Sequence, residues 1–413
     1  MSTHTEQNKS GLELRPLLAL LAVGLAYFFC SFHRFSLGVI SADLTRDFSL
    51  DPKSLGLIGS AFFYSYGFMQ VPSGLLSDKL GSRVLIAVSC LFTAAATLWF
   101  STTTGFLGLF SSRTLTGFAV AFVYVPALAV VREWFDEKVF STMTGVLVAM
   151  GQLGTISSSI PLQLTIDRMG WRGTFRIIAY ISVALCLLVW FIVRRKSGPQ
   201  QEKKQDEGIL KSSIEAFKTP GFWAIAFFFF IFSGVQFSFQ GLWGARFFES
   251  ALGRGEEKAA LLLAISLGCF VGAMMLGVLA DRFGRFRVLA CIGFAMVLLQ
   301  LLMLFLGFSS GGITLYLLCF AFGVLATGSY SVAFSVVRYF SSQSNGGFLT
   351  GINGCCGFVG GAVFTQLLGI FFNFSGIDSA AGFRIIFMVF AGICLLATIL
   401  MIRLNINRFK KQA

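Results

Sequence analysis

Two ionisable residues, His33 and Arg34, stand side by side inside a long apolar segment of the sequence. A charged side chain in such surroundings is costly, so it usually faces a cavity or a partner, and a planar guanidinium fits a carboxylate or a phosphate. Arg34 is therefore predicted to bind an anion, with Tyr27 and Ser31 on the same helical face. The alternative is that its long side chain extends to the polar surface of the segment.

His33 is the only histidine in an apolar segment, and no Asp or Glu lies deep in any of these segments. Because imidazole titrates near neutral pH, His33 is a candidate to carry a proton. A histidine that is hydrogen-bonded between two helices explains the residue equally well. Both interpretations stay open at the level of sequence.

Other polar and aromatic side chains form helical faces in apolar segments along the chain. An unsatisfied polar group costs several kcal/mol in lipid, so such faces are predicted to point inward. There they either complete the anion site or bond a neighbouring helix. The candidates for contact with the bound molecule are Tyr66, Gln70, Tyr124, Gln236, Gln240, Trp243, Tyr330 and Asn353.

Long apolar helices must position these side chains. Hydrophobic residues make up 56% and charged residues 12% of the chain, whereas about 25% of residues are charged in a soluble domain. About 20 apolar residues cross a bilayer as a helix, so the sequence predicts an all-α polytopic membrane protein with twelve transmembrane helices. Their predicted bounds are 16–42, 55–77, 83–103, 105–131, 138–165, 171–194, 219–246, 258–281, 287–308, 311–337, 345–374 and 380–403.

A short charged turn occurs twice, about half the chain apart, and indicates that the two halves are related. Residues 74–83 read GLLSDKLGSR, and residues 277–287 read GVLADRFGRFR. We therefore expect two pseudo-symmetric six-helix bundles joined by a polar linker. The predicted divisions are a cytoplasmic tail (1–15), the first bundle (16–195), a cytoplasmic linker (196–218), the second bundle (219–403) and a basic cytoplasmic tail (404–413).

Each copy of the turn combines two glycines with opposite charges. The first glycine is predicted to let neighbouring helices approach closely, and the second to permit the tight turn. The aspartate stands at a helix end, where it can bond free N–H groups or pair with a nearby arginine as a latch between moving halves. These gating or structural residues are Gly74, Asp78, Gly81 and Arg83 in the first copy, and Gly277, Asp281, Gly284, Arg285 and Arg287 in the second.

The net charge is +13, but its distribution indicates a lipid bilayer and no nucleic acid. With both termini in the cytoplasm, the inner loops and tails hold about two thirds of the 32 Lys and Arg residues, which is the bias that membrane insertion produces. The nine cysteines lie in apolar segments without metal-ligand spacing, so no metal site is expected. The ATP-binding pattern Gly-x4-Gly-Lys-Ser/Thr is absent, so transport energy would come from a gradient or from exchange.

The doubled turn and its spacing resemble the loop motif of the major facilitator superfamily, and the resemblance covers nearly the whole chain. Two further segments are similar to the branch that contains sugar-phosphate permeases and organic anion symporters. One runs from Arg113 to Gly117 and continues with Tyr124-Val-Pro126 and Trp134-Phe135, and the other contains Phe32-His33-Arg34. This chain departs from the branch in having Ala42 where a proline is usual, and in lacking an arginine shortly before Trp243.

The resemblance implies a secondary active transporter, without enzymatic activity or a cofactor, that works by alternating access between its halves. A single arginine in the site favours a small monoanion such as a carboxylate over a phosphate dianion. The expectation includes a monomer in the bacterial inner membrane, coupling to protons through His33 or to another ion, and a structural or gating role for Arg113. The alternatives are export of an amphipathic or drug-like compound, and exchange of sugar phosphate or phosphate.

Overall fold

The structure is a computed structural model that describes residues 14–193, 218–308, 312–340, 346–375 and 380–405. Regular secondary structure in these ranges is entirely helical. The first half contains α1 (Leu14–Phe48), α2 (Pro52–Leu80), α3 (Ser82–Thr102), α4 (Phe106–Trp134), α5 (Glu137–Ser157) and α6 (Ile160–Ile192). The second half contains α7 (Pro220–Ala251), α8 (Lys258–Phe283), α9 (Arg285–Phe305), α10 (Ile313–Val337), α11 (Gly346–Ser375) and α12 (Ala380–Leu404).

Eleven of these helices are long and apolar enough to cross a membrane, judged by length and composition. The remaining helix is α2, whose hydropathy is lowered by several Ser and Tyr residues and by Gln70. The predicted fold class, twelve helices in an all-α membrane protein, is confirmed. The predicted linker 196–218 lies outside the described ranges except for Lys218, and most of both predicted tails lies outside them as well.

Three helices are interrupted, and the interruptions refine the predicted bounds. α4 is broken by a turn at residues 121–123, and α6 is broken at Gly170, whose φ of 71° is not helical. The part of α6 before Gly170 therefore extends the fifth predicted segment, and the part after it forms the sixth. α7 widens into π-helical turns at Phe239–Trp243 and Phe247–Ala251, a feature that often accompanies functional sites.

The two halves touch backbone to backbone where α1 ends and α2 begins. A methyl group added at Gly369 of α11 would lie 2.7 Å from the carbonyl oxygen of Pro52. One added at Gly38 of α1 would lie 3.2 Å from the carbonyl oxygen of Gly241 in α7. Small residues permit such close approach of membrane helices. We call this end of the bundle the closed end.

The doubled turns lie at the opposite end, which we call the motif end. A methyl group added at Gly74 or Gly277 would meet nothing within 4 Å. The predicted close approach of neighbouring helices at these two glycines is therefore not observed among the described residues. Gly81 and Gly284 have φ values of 82° and 92°, which glycine adopts readily, and α3 and α9 begin directly after them.

The charged residues of the motif end make different contacts in the two halves. The Asp281 carboxylate accepts a hydrogen bond from Nη2 of Arg285 at 3.1 Å, while Arg287 is exposed. The guanidinium of Arg83 lies over the ring of Trp190, 4.4 Å from its centroid. The side chain of Asp78 lies outside the described part of the structure.

Candidate functional site

The guanidinium of Arg34 lies among aromatic rings contributed by both halves. Its Cζ atom is 5.1 Å from the ring centroid of Tyr66 in α2, 5.0 Å from that of Phe358 in α11, and 5.9 Å from that of Phe237 in α7. These are cation–π distances. The side chain of Arg34 therefore points from α1 towards the second half of the protein and does not run along the helix to the surface.

Tyrosine side chains complete this arrangement. The phenol groups of Tyr27, Tyr66 and Tyr330 are near enough to interact electrostatically with the guanidinium, and the ring of Tyr124 packs on that of Tyr27 with centroids 4.8 Å apart. We call this set the Arg34 cluster. Its members are Arg34, Tyr27, Tyr66 and Tyr124 from the first half, and Phe237, Tyr330 and Phe358 from the second half.

Local sequence explains why these side chains meet. Tyr27, Cys30 and Arg34 follow at helical spacing on one face of α1. Gly151 of α5 has no side chain, which leaves room for the ring of Tyr27. Gly67 of α2 plays the same part for Phe358, whose Cβ would lie 3.0 Å from an added methyl group. The glycines thus allow large rings to approach the central charge from different helices.

The guanidinium has unused hydrogen-bonding capacity. Its Nη2 atom donates to Cys30 Sγ at 3.9 Å, a weak acceptor, and Nε has no partner among the described residues. In the same ranges no carboxylate forms an ion pair with Arg34. Because a buried charge without a counter-ion is strongly destabilising, an incoming anion would relieve that cost.

Access to the cluster differs among its members. Arg34, Tyr27, Tyr124 and Tyr330 are half-buried, whereas Tyr66, Phe237 and Phe358 are buried. On the side of the closed end, Phe63 stacks against Phe237 with centroids 5.3 Å apart and planes 3° from parallel. The stacked rings and the glycine contacts beyond them close that route to Arg34.

Gln236 and Gln240 take part in a buried polar network within the second half. Nε2 of Gln236 donates to Oγ1 of Thr327 at 3.3 Å and to Oε1 of Gln240 at 3.4 Å. Nε2 of Gln240 donates to Oγ of Ser266 at 3.3 Å, and Cys269 Sγ donates to Oε1 of Gln240 at 3.6 Å. The two glutamines, predicted as ligands, are thus engaged with α8 and α10.

Trp243 lies apart from the Arg34 cluster, whereas Asn353 lies on a helix face next to it. The indole N–H of Trp243 donates to the carbonyl oxygen of Thr365 at 3.0 Å, close to the closed end. Asn353 is fully buried one helical turn before Gly357, on the face of α11 that packs against Phe229 of α7. Trp243 is thus bonded outside the cluster, which corrects its predicted role. The ring of Phe229 lies 4.8 Å from that of Tyr330, and neither amide atom of Asn353 has a partner among the described residues, so the predicted role of Asn353 stays a prediction.

Two further predicted ligands lie near the cluster without contacting its charge. Ser31 is buried, and the residue that contacts the guanidinium from this part of α1 is Cys30. Gln70 lies on α2 beside α11, with Oε1 4.0 Å from a methyl group placed on Gly354.

His33 and Arg113 are buried together on the side of α2 that faces away from the Arg34 guanidinium. Nη1 of Arg113 donates to the backbone carbonyl of His33 at 3.1 Å, and its guanidinium lies over the ring of Phe62 at 4.8 Å. The imidazole lies near the rings of Phe32 and Phe175, and its Nε2 atom has no partner among the described residues. Arg113 therefore ties α4 to α1, in keeping with a structural role.

Stacked rings lie between Arg34 and Arg113. Phe62 and Tyr66 stack with centroids 6.0 Å apart and planes 16° from parallel. Arg113 lies over Phe62, and Arg34 lies over Tyr66. A single small anion at Arg34 therefore meets one guanidinium and not two.

Sequence reasoning missed the phenylalanines of the cluster. The chain contains 49 of them, and most helical faces carry at least one, so composition gives no reason to select Phe237 or Phe358. Cys30, one turn before Arg34, was likewise treated only as a packing residue.

The sequence matches the model of the Major Facilitator Superfamily over residues 23–365. The chain is 27% identical over 208 residues to the D-galactonate transporter of Escherichia coli O6:H1, and this alignment covers 50% of this chain and 46% of that protein. It is 25% identical over 366 residues to the cis,cis-muconate transport protein of Acinetobacter baylyi, and this alignment covers 85% of this chain and 83% of that protein. The chain thus spans about half the length of the first of these relatives.

A solved structure has the same fold. It is a bacterial homolog of the human lysosomal transporter Spinster, in an inward-facing and unoccupied conformation. Its TM-score is 0.75, with 14% sequence identity, and the alignment covers 97% of this chain and 99% of that chain. At this level of identity the comparison concerns the fold alone.

Proposed function

Because the chain belongs to the major facilitator superfamily, whose members are transporters, we propose that it moves a small organic anion across the membrane by secondary active transport. The observation that carries the proposal is the guanidinium of Arg34 at the contact between the halves, which forms no ion pair with a carboxylate of the described residues. A group bound there touches both halves, so its binding can influence how they move relative to each other.

A carboxylate fits this position better than other ligands. Arg34 offers a planar fork of N–H donors, which pairs with a carboxylate in two parallel hydrogen bonds. A phosphate dianion would call for a second cation, and the neighbouring arginine, Arg113, lies behind the stacked rings of Phe62 and Tyr66. A cationic drug would be repelled by Arg34, which argues against export of cations.

The experiment is uptake of candidate organic anions into proteoliposomes that contain the full chain. We expect Arg34→Ala to abolish uptake and Arg34→Lys to retain a reduced rate, because lysine keeps the charge but loses the fork. Arg168→Ala, at an exposed position, is the matched control. Uptake by Arg34→Ala at the rate of the unchanged protein would refute the assignment.

Proton coupling through His33 is the weaker part of the sequence-based hypothesis. Protonation of the buried imidazole would place a second positive charge beside Arg113, and none of the described ion pairs supplies a carboxylate to either side chain. The geometry favours the alternative, a histidine within a helix interface. Energy for transport would then come from exchange or from a coupling ion held elsewhere.

We further propose that the protein lies in a bacterial inner membrane as a monomer with both termini in the cytoplasm. The distribution of Lys and Arg supports this orientation, in which the motif end faces the cytoplasm. The Asp281–Arg285 pair would then belong to a cytoplasmic latch. Labelling of single cysteines placed at Lys79 and at Lys53, using a reagent that does not cross membranes, tests the orientation.

A further inference from the structure

The Arg34 cluster has one cation, and nearly all of its remaining surface is aromatic. We propose that its substrate is a planar aromatic monocarboxylate, an inference that rests on the proposed function and narrows it. The carboxylate would pair with the in-plane N–H groups of Arg34, and the ring of the substrate would lie among the rings that surround it.

The geometry around the guanidinium supports one carboxylate and no more. The Cζ atom of Arg34 lies over the rings of Tyr66 and Phe358 at 5.1 and 5.0 Å, so these rings occupy space next to the guanidinium. Among the described residues, its Nε atom has no partner and its Nη2 atom donates only to the weak acceptor Cys30 Sγ, so N–H groups remain at the edge of the guanidinium for a substrate. A dicarboxylate would leave its second charge without a cation, which is costly in an apolar site.

The rings of the cluster are already arranged in mutual contact across the two halves. Tyr66 packs on Phe358 with centroids 4.3 Å apart, and Phe358 stacks on Phe237 at 5.2 Å with planes 22° apart. Aromatic pairs prefer centroid separations of about 4.5–7 Å and gain energy beyond their buried area. An aromatic substrate would extend this series of contacts, whereas an aliphatic ring of similar size would gain only burial.

Hydroxyl-rich acids fit the cluster poorly. The amides of Gln236 and Gln240 are bonded to each other and to Ser266, Cys269 and Thr327. Beside the guanidinium, the hydrogen-bonding groups of the Arg34 cluster itself are the phenols of its tyrosines, which suit one or two substrate oxygens. Hydroxyl groups of a sugar acid that find no partner would each weaken binding.

The test compares three anions that share a carboxylate: benzoate, cyclohexanecarboxylate and D-gluconate. Their dissociation constants are measured by isothermal titration calorimetry on the full chain in detergent. We expect benzoate to bind about fivefold to tenfold more tightly than cyclohexanecarboxylate, and more tightly still than gluconate. Phe358→Leu should bring benzoate and cyclohexanecarboxylate to within about twofold of each other, while Phe294→Leu, at an exposed site on α9, should keep the preference.

The outcomes separate this inference from the function on which it rests. If gluconate or cyclohexanecarboxylate binds as tightly as benzoate, and binding is lost in Arg34→Ala, the aromatic preference is wrong and the anion transporter stands. If none of the three anions shows binding that depends on Arg34, the proposed function fails together with the inference. The ligand comparison needs no variant, so poor folding of Phe358→Leu would not prevent a decision.

Discussion

Alanine in place of Gly369 is expected to open the closed end of the bundle. Its methyl group would lie 2.7 Å from the carbonyl oxygen of Pro52 and 3.1 Å from Cα of Gly56. Ordinary contacts of this kind begin at 3.4 Å, so α2 and α11 would have to separate there by about 0.7 Å. Both neighbours are backbone atoms and cannot rotate away as a flexible side chain can.

The size of the effect follows from the cost of overpacking, which is typically about 1–3 kcal/mol. The cost applies to the closed arrangement and disappears when the two halves separate at this end. The equilibrium between closed and open forms should therefore shift by about 5-fold to 150-fold towards the open form. Gly56→Ala, whose methyl group would be 3.0 Å from the carbonyl oxygen of Thr365, should give a smaller shift in the same direction.

The separation can be measured by double electron–electron resonance between spin labels at Lys53 in α2 and Asn373 in α11, both exposed. The labels are attached to cysteines introduced at these two positions, and the accessible native cysteines are replaced by serine. Gly392→Ala in α12 is the control, because its methyl group would meet nothing within 4 Å. A distance distribution in Gly369→Ala that matches the control would refute the view that backbone contact keeps this end closed.

Three further predictions concern single side chains. His33→Gln should leave the pH dependence of uptake into proteoliposomes unchanged, because the buried imidazole beside Arg113 has no carboxylate partner among the described residues. If uptake in this variant no longer varied with pH, proton coupling would be assigned to His33. Trp243→Phe should lower the free energy of unfolding by about 0.5–1.5 kcal/mol because it removes the hydrogen bond from the indole N–H to the Thr365 carbonyl. Anion affinity measured by calorimetry should not change, and weaker anion binding would place Trp243 in the site. Asp51 caps the N-terminus of α2, and hydrogen bonds from the Ser54 side chain and backbone N–H lower the pKa of its carboxyl group. The cap therefore stabilises the fold fully above pH 3.8, the ordinary pKa of the group, and this stabilisation is lost as pH falls through the lower pKa of the folded state. Asp51→Ala should therefore cost about 1 kcal/mol at neutral pH and progressively less in acid, measured by denaturant titration in detergent, whereas an equal cost at all pH values would contradict the assignment.

Part of the candidate site was predictable because it depends on one helix at a time. Arg34 stands out in the sequence as a charge in apolar surroundings, and Tyr27 follows from helical spacing. Tyr330 was selected only as a polar residue that must point inward, and its approach to Arg34 was not foreseen. Phe237 and Phe358 could not be selected at all, since nothing local distinguishes them from the many other phenylalanines.

The sequence by itself determined the membrane class, the twelve helices and the positions of the turns, because hydropathy over about 20 residues and the conformational freedom of glycine are local properties. Gly81 and Gly284 illustrate this, since both adopt positive φ where the doubled turn predicted it. Only the tertiary structure decided that the Trp243 indole donates a hydrogen bond to α11, and that no described atom lies within 4 Å of a methyl group added at Gly74 or Gly277. The physical reason is that the rotation and tilt of each helix are set by packing against helices distant in sequence, and small changes in either redirect a side chain to a different neighbour.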